Sequence, residues 1–287
     1  MKILIAIPHV FDPKEGSLYS SQNEEKRKLK AKALYKATIG NLDRHSNKHW
    51  IHASLGKAQK VVTRELETDR GHDITIHLYT PPHATLANTL PVNKRIKLIN
   101  PGVEDLIKVP LIASKNLLLQ ATNYDLVAYI EDDILIEDTE FFEKIIYLIN
   151  YTNGNYAFMP HRCEYMENIG DVILSGDPDG GRSDLFWDTK EEINIQWNLG
   201  LKTFYRATNP HSGCYFLSKD QASKAAQYWI DCNWKSNFQL SGPLEQAASG
   251  LILPTLKIMK PTPAQYRFLM VRHQDELWKR HPFEEKY

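Results

Sequence analysis

The sequence predicts an α/β fold in a single domain, with a mostly parallel central sheet flanked by helices. Short apolar runs alternate with segments of helical period over residues 1–150. The clearest run, residues 126–130, is apolar at every position, which is typical of a strand covered on both faces. No repeat of fixed period and no low-complexity linker divides the chain, so we expect one domain over residues 1–287.

The first part of the chain supplies two strands and a helix. Residues 3–7 are all apolar and predict a buried opening strand, and a basic surface helix follows from about Asn23. Ser21 and Glu24 have the spacing of a capping box at the start of that helix. Residues 73–79 alternate apolar and polar side chains, which predicts a strand that the following proline pair ends.

The next part contains a helix, the fully apolar strand and a second helix. Residues 104–122 have a helical apolar pattern, in which Pro110 must kink the helix or split it. The strand over residues 126–130 is followed by Thr139, which can cap a helix through residues 142–149. Strands separated by helices favour a parallel sheet, whose ligands bind beyond the carboxyl ends of the strands.

The second half of the chain is less regular. Glycine, proline and aspartate are frequent in residues 170–188, which predicts a long loop. The remaining apolar runs predict strands over residues 156–160, 213–217 and 251–258, the last interrupted by Pro254, and a helix over residues 219–228.

The composition excludes several classes of protein. Lysine and arginine number 35, as do aspartate and glutamate, so no nucleic-acid partner is implied. No apolar run approaches the roughly 20 residues of a transmembrane segment, and the opening run lacks a signal-peptide cleavage site. Three widely spaced cysteines predict neither a disulfide framework nor a zinc finger, which favours a cytoplasmic protein. The usual dinucleotide, P-loop, zinc-protease and serine-hydrolase motifs are missing.

Three carboxylates follow the apolar strand: Glu131, Asp132 and Asp133. Their mutual repulsion at the end of a buried strand requires a cation or hydrogen-bond donors. Oxygen ligands suit Mg²⁺ or Mn²⁺, which take one or two protein carboxylates and leave other positions to water and phosphate. A solvated strand end, or acids that cap the next helix, is the alternative interpretation.

The strand, the acidic triplet, the second apolar run and the helix together resemble the DXD-type region of GT-A fold glycosyltransferases, which use nucleotide sugars. Residues 209–218 resemble the family's turn into a strand lining the donor and acceptor pocket, and residues 241–246 resemble a later acidic motif. The resemblance implies a GT-A-like domain with a nucleotide-binding half over about residues 1–150 and an acceptor-binding half over about residues 151–287.

The resemblance also implies a reaction. A sugar passes from a nucleoside-diphosphate sugar donor to a glycan or another hydroxyl acceptor, with Mn²⁺ or Mg²⁺ as the cofactor. Asp133 and His273 are implied to bind the metal, and Glu245 to take the acceptor proton if the reaction inverts the sugar. The family often has aspartate after this glutamate, where the chain has Gln246, and a first-turn helix glutamate is an equal interpretation of Glu245.

Contacts with donor and acceptor are expected from neighbouring residues. The donor is expected to meet residues at the end of the first strand, in later loops and in the triplet, where Glu131 contacts ribose or reaches the metal through water. These residues are His9, Phe11, Arg44, Arg95, Glu131 and Asp132. Aromatic rings that can stack on sugars are expected at the acceptor: Trp187, Trp197 and Tyr215.

Two other functions stay open at this point. A catalytically inactive carbohydrate- or nucleotide-binding protein of the same fold is conceivable because of Gln246. A nucleotidyltransferase is disfavoured, because no glycine-rich basic loop follows the first strand to hold a triphosphate.

Overall fold

A five-stranded sheet forms the centre of the fold. The computed structural model describes residues 1–12, 23–46, 49–55, 61–67, 71–167, 169–173, 191–198, 200–207, 211–235 and 242–274. In spatial order the central strands are β13 (Cys214–Ser218), β6 (Leu126–Ile130), β1 (Lys2–Pro8), β4 (Asp73–Tyr79) and β5 (Ile96–Ile99). Every neighbouring pair is parallel except β13 with β6, so the predicted mostly parallel α/β fold is confirmed.

Helices cover both faces of this sheet. They are α1 (Glu24–Tyr35), α2 (Asn41–His45), α3 (Val109–Gln120), α4 (Phe141–Tyr151), α5 (Lys219–Asp231) and α6 (Pro243–Glu245). Single π-helical turns span Lys36–Gly40 and Gln246–Gly250, and 3₁₀ turns span Ala87–Thr89, Leu106–Lys108, Ala121–Asn123 and Pro263–Phe268. Among the described helices, none combines the length and apolar character needed to cross a membrane.

The core lies in two layers, one on each face of the sheet. Ile3 and Ile5 of β1 pack in a cluster with side chains from α1, α2 and α4. Leu4 and Ala6 pack in a second cluster with α3 and α5. This alternation explains why the opening strand is apolar at consecutive positions. The three cysteines, all within the described residues, form no disulfide, as predicted.

Smaller sheets complete the fold. One contains β10 (Gly170–Ile173), β9 (His161–Met166), β15 (Met270–His273) and β7 (Ile134–Leu135). Another contains β11 (Glu192–Trp197), β12 (Gly200–Arg206), β14 (Lys257–Pro261) and β8 (Tyr156–Phe158), and β2 (His49–Leu55) pairs with β3 (Val61–Glu67). Because β7 directly follows the acidic triplet, its pairing with β15 brings distant parts of the chain beside the end of β6.

Two helix starts differ from the prediction. Asn23, rather than Ser21, caps α1, since its side chain accepts hydrogen bonds from the amides of Glu25 and Lys26; Ser21 itself lies outside the described residues. Thr139 does not cap α4. The turn before that helix is held by Asp138, whose Oδ1 accepts a hydrogen bond from the Glu140 amide over 3.0 Å.

Three other local predictions also needed correction. Pro110 lies in the first turn of α3, where its missing N–H costs no helical hydrogen bond, so the helix begins there without a kink. Residues 170–173 form strand β10 instead of the start of a loop, while residues 174–188 lie outside the described residues. The last predicted strand begins later, because residues 251–255 around Pro254 form turns and β14 starts at Lys257.

Candidate functional site

The acidic triplet lies at the carboxyl end of β6, near the middle of the central sheet. Glu131, Asp132 and Asp133 are 6%, 8% and 7% exposed, so all three carboxyl groups are buried. The Glu131 amide donates a hydrogen bond to the Gly213 carbonyl over 2.8 Å, and the Gln274 amide donates to the Asp133 carbonyl over 2.8 Å. Backbone hydrogen bonds therefore hold the triplet at both ends.

Asp132 is held by two basic side chains. His9, just beyond β1, has its Nδ1 2.5 Å from one Asp132 oxygen, and Lys30 of α1 has its Nζ 2.8 Å from the other. The Leu86 amide donates to Nε2 of His9, so the neutral ring carries its proton on Nδ1 and donates to Asp132. Burial alone would raise the pKa of Asp132, but Lys30 and His9 reverse the shift and hold that pKa well below its usual range.

Asp133 faces a histidine from the other end of the chain. Strand pairing places His273 beside Ile134, and Nε2 of His273 lies 3.6 Å from Oδ2 of Asp133. The opposite ring nitrogen, Nδ1, lies 2.6 Å from Oε1 of the buried Glu164. Burial alone would lower the pKa of His273, but Asp133 and Glu164 outweigh it and raise the pKa above its ordinary value.

Glu131 lies in a separate buried polar pocket. Nη1 of Arg162 is 4.0 Å from one Glu131 oxygen, and Nε2 of His211 is 3.9 Å from the other. Burial, helped by the Asp133 charge, raises the pKa of Glu131 to about 7. Burial and the Arg162 charge hold the pKa of His211 well below its ordinary value.

Gly213 closes this pocket without a side chain. Its φ is +65 degrees, in the left-handed region, and a Cβ atom added here would lie 2.8 Å from Oε2 of Glu131. Glycine is therefore required both by the backbone conformation and by the carboxyl group beside it.

The donor set fits a small divalent cation with few protein ligands. Oδ1 of Asp133 and Oε1 of Glu131 are buried and accept no hydrogen bond in the described structure. Asp133 and His273 converge, and Glu164 orients the His273 ring in the way that carboxylates orient metal-binding histidines. The described part of the chain contains no group of three or more His, Cys, Asp or Glu side chains arranged to hold a metal. Two protein ligands suffice for Mg²⁺ or Mn²⁺, because water and phosphate complete their shells.

The residues predicted to bind the nucleotide differ in whether they contact the acidic triplet. His9 contacts Asp132 of the triplet directly, and its contact with the nucleotide stays a prediction. Phe11 is buried beside it, with its amide bonded to the Ala84 carbonyl. Arg44 is exposed on α2, and Arg95 lies just before the edge strand β5. Among the described contacts, none joins either arginine to the triplet.

The two predicted acceptor residues that the structure describes, Trp197 and Tyr215, lie in separate places. Tyr215 is fully buried, and its hydroxyl lies 2.9 Å from the Ser114 hydroxyl inside the core, so it is not at the site. Trp197 ends β11 and packs edge-on against Tyr147 and Phe268, with ring centroids 4.9 and 5.3 Å apart. Trp187 lies outside the described residues.

Glu245 is the last residue of α6, a short helix that packs against α3. Its carboxylate is close to the backbone of Gly242, where an added Cβ would collide with it. The described contacts do not link Glu245 to the triplet, and its role as a base stays a prediction.

Three residues of the site are not among those that the sequence predicts. Lys30 lies in the helix predicted as a basic surface helix, and Arg162 and Glu164 lie in a strand without a recognised motif. The available signal was the alternation in β9, where Arg162 and Glu164 are two positions apart and therefore point to the same face of the strand. A polar face on an otherwise buried strand indicates that it lines a site.

Comparisons with known proteins give matches only among solved structures. No protein-family model matches the sequence, and no curated protein matches it. Among solved structures the chain is similar to S. aureus TarS 1-349, with 10% identity and a TM-score of 0.47, covering 95% of this chain and 60% of that one. It is also similar to GalNAc-T7 with UDP, GalNAc and Mn²⁺, with 9% identity and a TM-score of 0.48, covering 95% of this chain and 42% of that one. The chain thus spans less than two thirds of either protein chain, and likenesses of this size assign neither a reaction nor a ligand to it.

Proposed function

We propose that the chain transfers a sugar from a nucleoside-diphosphate sugar to a hydroxyl acceptor such as a glycan, with Mn²⁺ or Mg²⁺ held by Asp133 and His273. The observation that carries the proposal is the convergence of these two side chains, 3.6 Å apart, at the carboxyl end of β6. Ligands of parallel sheets bind beyond this edge, and the sequence around the triplet resembles a DXD-type region.

The surrounding residues hold the two metal ligands, Asp133 and His273, in position. Glu164 accepts the Nδ1 proton of His273, which leaves Nε2 directed toward Asp133. His9 and Lys30 hold Asp132, so the backbone of the triplet is fixed before any ligand binds. A bound divalent ion supplies a Lewis acid that neutralises the charge on the departing diphosphate.

Glu131 is proposed to contact the ribose or sugar hydroxyls of the donor. A carboxyl group whose pKa is about 7 can accept a hydrogen bond when ionised and donate one when protonated. Arg162 and His211 approach its two oxygens to 4.0 and 3.9 Å, beyond hydrogen-bond distance, so a donor hydroxyl can still reach them. We propose the first half of the chain as the nucleotide-binding half and the second as the acceptor-binding half, with Glu245 as the base of an inverting reaction.

The experiment begins with a panel of nucleoside-diphosphate sugars, each added with Mn²⁺ and scored by protection from thermal unfolding. A donor at 100 times its dissociation constant should stabilise the chain by about 2.7 kcal/mol. The best donor is then incubated with the protein, and release of the nucleoside diphosphate is followed over hours. Asp133→Asn should abolish Mn²⁺-dependent release, while Asp43→Asn, at an exposed position on α2, should leave it unchanged.

The results separate the candidate functions. Protection without release would instead support a carbohydrate- or nucleotide-binding protein without catalysis. Undiminished release by Asp133→Asn would contradict the proposed metal ligand, and a panel in which no donor protects the chain would contradict the proposed donor class.

A further inference from the structure

Lys30 occupies the space between the two aspartates of the triplet. Its Nζ lies 2.8 Å from Oδ1 of Asp132 and 3.4 Å from Oδ2 of Asp133, so one ammonium group contacts both carboxylates. The Lys30 side chain is 26% exposed, in contrast to Lys28 on the same helix, whose side chain is 75% exposed and pairs with Glu24.

We infer that Lys30 is a resident counter-cation that competes with the divalent ion for Asp133. This inference rests on the proposed function, because it concerns the metal that the function requires. Oδ2 of Asp133 is the oxygen that both Lys30 and His273 approach, at 3.4 and 3.6 Å. A divalent ion bound to that oxygen would lie within a few ångströms of the ammonium, where two positive charges repel each other strongly.

The ammonium can leave without disrupting the fold. Lysine carries its charge on a flexible four-carbon stem, and the partly exposed side chain of Lys30 starts from α1 at the edge of the site. Without a metal, Lys30 offsets the repulsion between the buried carboxylates. With a metal, the same charge moves away from Asp133, so the protein gives up one favourable contact each time the ion binds.

The test measures binding of Mn²⁺ alone to the full chain by titration calorimetry at pH 7.5. Lys30→Met removes the competing charge and should tighten Mn²⁺ binding about tenfold, the ratio expected when one charged hydrogen bond no longer has to be broken. Lys30→Arg keeps the charge and should bind Mn²⁺ no more tightly than the original protein. Lys28→Met is the matched control on the same helix and should leave the affinity unchanged.

A second measurement applies if Lys30→Met folds poorly, since it leaves two buried acids without their cation. Thermal unfolding of Lys30→Gln with and without Mn²⁺ should then show a larger stabilisation by the metal than the original protein shows. Equal or weaker Mn²⁺ binding by Lys30→Met, or no larger stabilisation of Lys30→Gln, would overturn the inference while leaving the proposed metal centre intact. Absence of Mn²⁺ binding in every variant would overturn both.

Discussion

Nδ1 of His273 lies 2.6 Å from Oε1 of Glu164, and this partly buried hydrogen bond joins the neighbouring strands β15 and β9. Glu164 is 2% exposed, so its carboxyl group faces this ring inside the fold. Fixing Nδ1 leaves Nε2 directed toward Asp133, so the geometry of the proposed metal centre depends on a residue that does not contact the metal.

The first prediction concerns this positioning residue. Glu164→Ala should weaken Mn²⁺ binding by about 10 to 100-fold, because His273 loses the partner that orients its ring. Glu164→Gln should restore part of the affinity, since its amide oxygen can still accept the Nδ1 proton. Titration calorimetry measures the affinities, and the exposed Glu167→Gln, just beyond the same strand, is the control. Unchanged binding by Glu164→Ala would contradict the orienting role.

The second prediction concerns the pocket around Glu131. Gly213→Ala should lower the free energy of unfolding by about 1–3 kcal/mol more than Gly102→Ala does. Both glycines have similar backbone angles, +65 and +67 degrees, but a Cβ at Gly213 would lie 2.8 Å from Oε2 of Glu131, whereas nothing lies within 4 Å of a Cβ at Gly102. Urea unfolding measures both variants, and equal losses would show that Glu131 does not limit the space.

The third prediction concerns the segment after the triplet. Asn41 is fully buried; its Nδ2 donates to the Ile134 carbonyl over 3.2 Å, and its Oδ1 accepts from the Ile136 amide over 2.9 Å. Asn41→Leu keeps the volume but leaves both backbone groups unpaired, so it should cost about 2–4 kcal/mol of the free energy of unfolding. The exposed Asn123→Leu is the control for urea unfolding, and a similar small loss in both variants would contradict the anchoring role.

The fourth prediction concerns stability in acid. Burial lowers the pKa of His45 from 6.5 to about 4, and that of His161 to about 3. Between pH 6.5 and pH 4 the unfolded chain binds a proton at His45 that the folded chain does not, so stability falls as the pH falls. His45→Gln removes this difference and can still donate to the Ile136 carbonyl.

The expected change is a shallower pH dependence. Over this window the free energy of unfolding of His45→Gln should fall by up to about 1.4 kcal/mol less per pH unit than that of the original protein. Urea unfolding at several pH values measures the slope, and His83→Gln, at an exposed histidine, should not alter it. An identical slope for His45→Gln and the original protein would contradict the prediction.

The sequence by itself identified four of the five central strands. The apolar runs of β1, β6 and β13 and the alternation in β4 predicted them, because burial leaves a direct trace in residue type, whereas the edge strand β5 is partly exposed and was not predicted. The place of the acidic triplet also followed from the sequence, since three carboxylates directly after a buried strand must lie at its carboxyl end. The sequence did not determine the N-cap of α1, because Asn23 and Ser21 are both acceptable cap residues and only local geometry selects between them.

Tertiary structure alone brought Lys30, Arg162 and Glu164 to the triplet and set the distances among its neighbours. Lys30, Glu164 and His273 come from three distant segments, and no spacing in the sequence relates them. Their meeting depends on the pairing of β15 with both β7 and β9 and on the packing of α1 against one face of the central sheet. Strand pairing between remote segments is set by the whole chain, because each strand alone is compatible with several neighbours. The sequence therefore identified the carboxylates, and its resemblance to a known family pointed to His273, while the fold supplied Lys30 and the residue that orients the histidine.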